Sequence, residues 1–153
     1  MKSISSVKDG HMAEVEMKIG EVSKVVGITP RTIRYYEELG LLPPIAHTDG
    51  GTRKYTSRDI ARLTRIKELQ TIFGFSLGDI KILLMAEDDY ERLREEWKNT
   101  QSKKRQREII QEAKKVNDSM LLEIEKRLIK MKSFKKELLE KAERLEVKLS
   151  DLI

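Results

Sequence analysis

The segment from Ala86 to Ile153 contains neither glycine nor proline, so no residue in it breaks a helix. From Leu121 to Leu152, every position reached by alternating steps of three and four residues is apolar except Lys135. The apolar positions are Leu121, Ile124, Leu128, Met131, Leu138, Ala142, Leu145, Leu149 and Leu152. This heptad pattern is typical of a coiled coil. Because a lone helix would leave the stripe in water, we expect residues 106–153 to be a dimerisation helix that pairs with a second copy of the chain.

Residues 17–85 contain the glycines and prolines that divide a chain into short elements. A first short helix is indicated by apolar residues at helical spacing, and it ends at Gly27. Those residues are Ile19, Val22, Val25 and Val26. Thr29 then suits an N-cap, Pro30 suits the first helical position, and Gly40 suits the left-handed residue after the second helix. Two short helices joined by a tight turn form a helix-turn-helix pattern.

The next segment, "PIAHTDGGTRKYT", predicts a β-hairpin, because its Asp-Gly-Gly sequence suits a tight turn between two short strands. Two capped helices follow, and their buried faces are indicated by apolar spacing. The predicted buried residues are Ile60, Leu63, Ile66, Leu69 and Phe73 on the first, and Ile80, Leu83 and Leu84 on the second. The predicted fold is mainly α: a winged helix-turn-helix domain (residues 17–85) with a small β-hairpin wing, a helical connector (86–105) and the long coiled-coil helix.

One face of the second helix carries the residues that most suggest a function. Arg31, Arg34, Tyr35 and Glu38 share this face, whereas Ile33 and Tyr36 fall on the opposite one. We expect Tyr36 to pack in the core with its hydroxyl at the edge. Two guanidinium groups beside Tyr35 suit contacts with phosphates and base edges. The alternative is that both arginines are solvated and pair with Glu37 or Glu38.

The predicted wing carries a second basic cluster. Arg53 and Tyr55 alternate onto one face of its second strand, and Lys54 falls on the other. We expect this tip to hold the sugar-phosphate backbone beside a groove-bound helix, although an ordinary hairpin remains the alternative.

Charge and composition narrow the class of protein. The net charge is +5, and residues 17–85 carry 11 basic against 7 acidic side chains, so an anionic partner is favoured. The chain has no cysteine, and His11 and His47 are far apart in sequence, so we expect no metal site and no cofactor. Without a phosphate-binding glycine loop or a paired-acid constellation, we also expect no enzymatic activity. Residues 1–16 are expected to be a disordered arm, and the absence of a signal or membrane segment favours the cytoplasm.

The amino-acid sequence of residues 17–85 resembles that of the DNA-binding domain of MerR-type bacterial transcription regulators. The motifs that carry the resemblance are "IGEVSKVVGITPRTIRYYEELGLLPP", "GGTRKYT" and "DIARLTRIKELQTIFGFSLGDIKILL". The resemblance implies a homodimer with an antiparallel coiled coil, nucleoid-associated, whose recognition helices enter successive major grooves of a pseudopalindromic promoter element. It implies that the protein bends and untwists the DNA and so acts indirectly on RNA polymerase. The DNA-contacting candidates are Thr29, Arg31, Thr32, Arg34, Tyr35, Arg53, Lys54 and Tyr55, with Tyr36 left open.

The departures from the family pattern concern how the protein is switched. The metal-sensing and redox-sensing members carry cysteines after the dimerisation helix, and this chain has none. If a small molecule binds in a pocket formed by the dimer, the aromatic residues Tyr90, Trp97 and Phe134 are the candidates, although packing is the commoner use of such residues. A further alternative is an architectural or chromosome-anchoring protein that uses the coil as a spacer, suggested by the basic run Lys103 to Arg107.

Overall fold

A computed structural model describes residues 16–153 and confirms the predicted mainly α fold. Its elements are α1 (Ile19–Val26), α2 (Pro30–Glu38), β1 (Ala46–His47), β2 (Arg53–Lys54), α3 (Ser57–Thr71), α4 (Leu77–Asn99) and α5 (Lys103–Ser150). The predicted arm lies outside the described residues except for Glu16, which pairs with Lys54. The chain divides into two compact units between Lys81 and Ile82, inside α4. None of the described helices combines the length and the apolar character that crossing a membrane requires.

The ends of α1 and α2 are fixed by caps that the sequence predicted. At the start of α2, Thr29 Oγ1 accepts a hydrogen bond from the Thr32 amide at 3.1 Å, and Pro30 occupies the first turn. Gly27 (φ 74°) and Gly40 (φ 69°) adopt the left-handed conformation just beyond the two helices. The carbonyl of Leu39, at the end of α2, accepts from Lys81 Nζ at 3.0 Å, which places a cation at the negative end of this helix. The helix-turn-helix is therefore held at both ends by local chemistry.

The core of the first unit is apolar and draws on every helix in it. Its buried residues include Val22, Val26, Ile33, Tyr36, Leu41, Leu63, Ile66, Leu69, Phe75 and Ile80. The prediction that Phe73 is buried is wrong, because α3 ends at Thr71 and the helical spacing does not continue to Phe73, which is 53% exposed. Gly74 (φ 62°) then turns the chain, and Phe75 enters the core instead.

The predicted wing is present as a short antiparallel hairpin. Ala46 pairs with Lys54 and His47 with Arg53, and the turn places Gly51 at φ 76°. A third extended piece joins it, because the Met17 and Tyr55 backbones exchange two hydrogen bonds of 2.9 Å each. The chain immediately before α1 is thus tied to the end of β2.

In the second unit, α4 and α5 are joined by a clamp around Arg105. Arg105 donates through Nε and Nη2 to the two carboxylate oxygens of Glu96 (2.6 and 2.9 Å), and through Nη1 to Glu112 (2.8 Å) and Glu108 (3.2 Å). These hydrogen bonds raise the pKa of Arg105 and lower that of Glu96. Leu93 on α4 and Ile109 on α5 are both buried.

The whole of α5 is 48 residues long, and beyond this clamp its apolar stripe faces solvent in the single chain. The exposed residues include Leu121, Ile124, Leu128, Met131, Leu138, Leu145, Leu149 and Leu152. Ile124, the least exposed of them, is 38% exposed, and Leu152 reaches 83%. Single surface apolar residues are ordinary, whereas a continuous stripe of this length is the surface that the predicted dimerisation helix would need.

Candidate nucleic-acid interface

The outer face of α2 presents two exposed arginines. Arg31 and Arg34 are exposed, and neither forms a salt bridge with any residue between 16 and 153. With Thr32, Tyr35 and Glu38 they line an open concavity of about 560 Å³. Tyr35 is 49% exposed. This face therefore offers guanidinium and phenol donors to an anionic partner, and the pairing with Glu37 or Glu38 considered as an alternative is not formed.

The opposite face of α2 is buried, as the sequence predicted. Ile33 is fully buried, and Tyr36 is 3% exposed and donates its hydroxyl to Gln70 Oε1 on α3 at 2.8 Å. Burial raises the pKa of the Tyr36 phenol. The hydroxyl lies at the edge of the core beside exposed Gln70, so the phosphate contact that the resemblance left open stays a prediction. The hydrogen bond to Gln70 helps to fasten α2 to α3.

Tyr55 also differs from the expectation that it contacts DNA. Arg53 and Tyr55 do share one face of the wing, but that face is turned towards α2 rather than towards solvent. Tyr55 is fully buried, and its hydroxyl donates to Glu37 Oε1. Burial, followed by this hydrogen bond, raises the pKa of the Tyr55 phenol. Tyr55 is therefore a core residue that joins the wing to α2.

The other two wing candidates remain accessible. Arg53 donates through Nε to Glu37 Oε2 at 3.0 Å, and its side chain is 38% exposed. Lys54 pairs with Glu16 and keeps 43% of its side chain exposed. Surface pairs of this kind are weak, so both cations can still meet a phosphate.

A second basic concavity, which the sequence did not predict, joins α1 to the wing. It has a volume of about 620 Å³ and brings Lys18 and Lys24 together with Arg34 and Arg53. The remaining lining residues are Ile19, Gly20, Glu21, Gly51 and Thr52. Lys24 lies opposite Val22 on α1, which marks it as exposed, but helical spacing alone does not bring it to the wing. The basic surface therefore extends from the recognition helix to both flanking elements.

The three aromatic candidates for a ligand site do not come together. Tyr90 and Trp97 line a cavity of about 190 Å³ between α4 and α5, with Leu93, Arg94, Ile109, Ile110 and Ala113. Phe134 lies on α5 roughly 35 Å further along the helix axis and does not line it. Within residues 16–153 no group of three or more potential metal ligands occurs.

An exposed basic helix after a tight turn, flanked by a basic wing, defines a winged helix-turn-helix DNA-binding protein. The family model for MerR HTH family regulatory proteins matches residues 17–87. The chain is 34% identical over 122 residues to the HTH-type transcriptional regulator YfmP of Bacillus subtilis (strain 168), which covers 80% of this chain and 87% of that protein. It is 33% identical over 121 residues to the HTH-type transcriptional regulator ZntR of Escherichia coli (strain K12), which covers 79% of this chain and 74% of ZntR. The chain belongs to the MerR family of helix-turn-helix transcription regulators.

Among solved structures the chain is similar to HiNmlR, a MerR family regulator lacking the sensor domain, bound to promoter DNA. The sequence identity is 21% and the TM-score is 0.45, over 74% of this chain and 79% of that one.

Proposed function

We propose that this regulator binds a pseudopalindromic promoter element as a homodimer and controls transcription by distorting the DNA. The observation that carries the proposal is the pair of exposed arginines on α2, which have no acidic partner in residues 16–153 and lie beside Tyr35. Arginine can donate two hydrogen bonds to guanine in the major groove, which a short exposed helix can enter. Thr29 and Thr32 lie at the N-terminus of the same helix, where backbone amides also favour phosphate.

We assign DNA binding and dimerisation to different segments, because the first unit carries the basic surface and the second carries the apolar stripe. Residues 17–85 bind DNA through α2, the wing and the basic concavity between α1 and the wing. Residues 86–105 connect this domain to the dimerisation helix, which is formed by residues 106–153. A dimer would carry two recognition helices, which suits two half-sites about one helical turn of DNA apart. The protein would act on RNA polymerase only through the shape of the promoter, in the cytoplasm at the nucleoid, and we assign it no enzymatic activity or cofactor.

A footprint on the protein's own promoter tests this function. We expect protection of a pseudopalindrome between the promoter elements, and uniform coating of the DNA would overturn the proposal. Arg34→Ala should weaken binding by about 1–3 kcal/mol and relax sequence preference, because a base contact is lost. Arg92→Ala is the matched control, since Arg92 is an exposed arginine of the second unit that pairs with Asp89. Equal affinity of the Arg34 variant and the wild type would show that Arg34 is only solvated.

The proposed coil is antiparallel, and the absence of cysteine makes its orientation directly measurable. Leu149 is the second-last residue of α5 and is 65% exposed, and it belongs to the apolar stripe that we propose the partner covers. A single cysteine in Leu149→Cys would meet its counterpart in a parallel dimer but lie far from it in an antiparallel one. We therefore expect no disulfide-linked dimer on oxidation. Efficient cross-linking would show that the helices are parallel.

A ligand-responsive regulator is the second candidate, because the cavity beside Tyr90 and Trp97 is lined mainly by apolar groups. Its volume of about 190 Å³ is below the roughly 300–1,000 Å³ of drug-sized sites, so a ligand would be small or the partner chain would complete the site. Trp97 is the single tryptophan of the chain, so its fluorescence reports on this cavity alone. A titration with small amphiphiles that leaves the emission unchanged would count against this candidate.

The architectural alternative loses one of the four basic side chains that suggested it, while Lys103, Lys104 and Arg107 form no salt bridge within residues 16–153. It was suggested by the basic run from Lys103 to Arg107, but Arg105, at the centre of the run, is bound by Glu96, Glu108 and Glu112. This guanidinium fastens α5 to α4 and is not available to DNA.

A further inference from the structure

Glu37 connects the recognition helix to the wing through both of its carboxylate oxygens. Oε2 accepts from Arg53 Nε at 3.0 Å, and Oε1 accepts from the Tyr55 hydroxyl. The Glu37 side chain is only 15% exposed, which distinguishes it from the exposed Glu38 next to it. Both donors come from one face of the wing and both acceptors belong to one side chain of α2, so this contact sets where the wing lies on the helix.

The contact leaves Arg53 ready to bind a phosphate. Only the Nε edge of the guanidinium is used, and within residues 16–153 its two terminal nitrogens have no hydrogen-bond partner. A guanidinium is planar with its donors in a fixed fork, so holding Nε also fixes the direction of the terminal edge. Arg53 lines the basic cleft together with Lys18, Lys24 and Arg34. The two terminal nitrogens of Arg53 therefore belong to a basic surface that favours anions.

A carboxylate suits this position better than an amide, although it brings negative charge to a DNA-binding surface. Arg53 Nε–H is an obligatory donor, and the buried Tyr55 hydroxyl donates as well, so two acceptors are needed. Hydrogen bonds that a carboxylate accepts are stronger than neutral ones. The neighbouring guanidinium also offsets the charge of Glu37.

We propose that Glu37 is a positioning residue for DNA binding, which orients Arg53 and fixes the wing to α2 so that wing and recognition helix contact DNA as one body. The inference rests on the proposed function, since it assigns Arg53 to a phosphate of the same DNA site. Glu37 itself touches no DNA in this arrangement and acts through Arg53.

The test is a double-mutant cycle on the full-length protein with Glu37→Ala, Arg53→Ala and the double variant. Affinity is measured on the footprinted promoter element and on unrelated duplex DNA over a series of salt concentrations, with thermal unfolding in parallel. We expect each single variant to reduce the salt slope by about 1 per protomer and to weaken binding to both DNAs alike, as loss of a phosphate contact does. The double variant should be no weaker than Arg53→Ala, because Glu37 acts through Arg53.

Two further variants separate positioning from folding. Glu37→Gln keeps one acceptor for Arg53 and can donate to the Tyr55 hydroxyl, so it should restore most of the salt slope. Glu68→Ala removes an exposed carboxylate of α3 that pairs with Arg65 and lines neither basic concavity, so it should leave affinity and salt slope unchanged.

Additive losses in the cycle, or an unchanged salt slope in a Glu37→Ala variant that unfolds at lower temperature, would overturn the inference and leave the proposed function standing. A wild-type protein without a discrete footprint would overturn the proposed function and this inference with it.

Discussion

Tyr35 and Tyr36 are adjacent in the recognition helix, yet loss of the hydroxyl should affect them in opposite ways. Tyr36 is buried and its hydroxyl donates to Gln70 Oε1 at 2.8 Å, whereas Tyr35 is half exposed on the arginine face. The two rings are close, with centroids 6.5 Å apart, so substitution to phenylalanine perturbs nearly the same region in both cases. Tyr36→Phe should lower stability and leave DNA binding intact. Tyr35→Phe should do the reverse.

The magnitude for Tyr36→Phe follows from one hydrogen bond. A typical bond of this kind contributes about 0.5–1.5 kcal/mol net. Gln70 is exposed, so water can replace the tyrosine as its partner and the loss should lie in the lower half of that range. The ring stays in place, so no cavity is created. For a chain of this size, 1 kcal/mol shifts Tm by roughly 2–4 °C, so we expect a decrease of about 1–4 °C.

The assay pairs thermal unfolding, followed by circular dichroism, with DNA affinity, followed by fluorescence anisotropy. Protein concentration must be equal in all melts, because the Tm of the proposed dimer would depend on it. Tyr35→Phe is the control and should keep the wild-type Tm while weakening DNA binding. A Tyr36→Phe variant with normal Tm and weakened DNA binding would refute the reasoning, because it would place the Tyr36 hydroxyl on a phosphate.

Two further predictions concern the second unit. Lys135→Leu replaces the single polar residue of the seam and should stabilise the dimer by about 1–2 kcal/mol per protomer, seen as a higher urea midpoint; an unchanged midpoint at equal protein concentration would place Lys135 outside the interface. Hydrogen bonding to Arg105 lowers the pKa of Glu96, so its stabilising effect is present above its unfolded pKa and is lost as pH falls through the lower folded value. The wild type should therefore lose more Tm than Glu96→Gln between about pH 5 and pH 3, and parallel Tm profiles would contradict this.

The sequence was sufficient for the helix-turn-helix, because its boundaries depend on local chemistry. Thr29, Pro30 and Gly40 each have a conformational preference that acts within a few residues, and all three occupy the predicted positions. The same reasoning failed at Phe73, which was predicted to be buried and is exposed. Apolar spacing identifies a buried face only while the helix continues, and the turn at Gly74 moved Phe75 into the core in its place.

The wing shows why a site is harder to predict than a fold. Alternation along a strand correctly grouped Arg53 with Tyr55, but it contains no information about which face meets a neighbouring helix. That depends on how the hairpin docks on α2, where both side chains bond to Glu37, sixteen residues before Arg53. For the same reason Lys18 and Lys24 were missed, since their position beside the wing is a tertiary property.

The grouping of basic side chains around two concavities favours the first unit as the part that meets DNA. In the second unit some cations pair with an acid three or four residues away, as Lys98 does with Glu95 and Lys114 with Asp118, and Arg105 is held by three carboxylates. Such pairing reduces the field that a distant phosphate feels, whatever the formal charge. Others, among them Lys103, Lys104 and Arg107, form no salt bridge within residues 16–153. In the first unit, four basic side chains of the two concavities form no salt bridge within residues 16–153, and they belong to α2 and to α1 with its N-cap. They are Lys18, Lys24, Arg31 and Arg34. The first unit thus presents a basic surface that combines α2, α1 and the wing, while its Glu37 is bonded to Arg53 and Tyr55 of the wing.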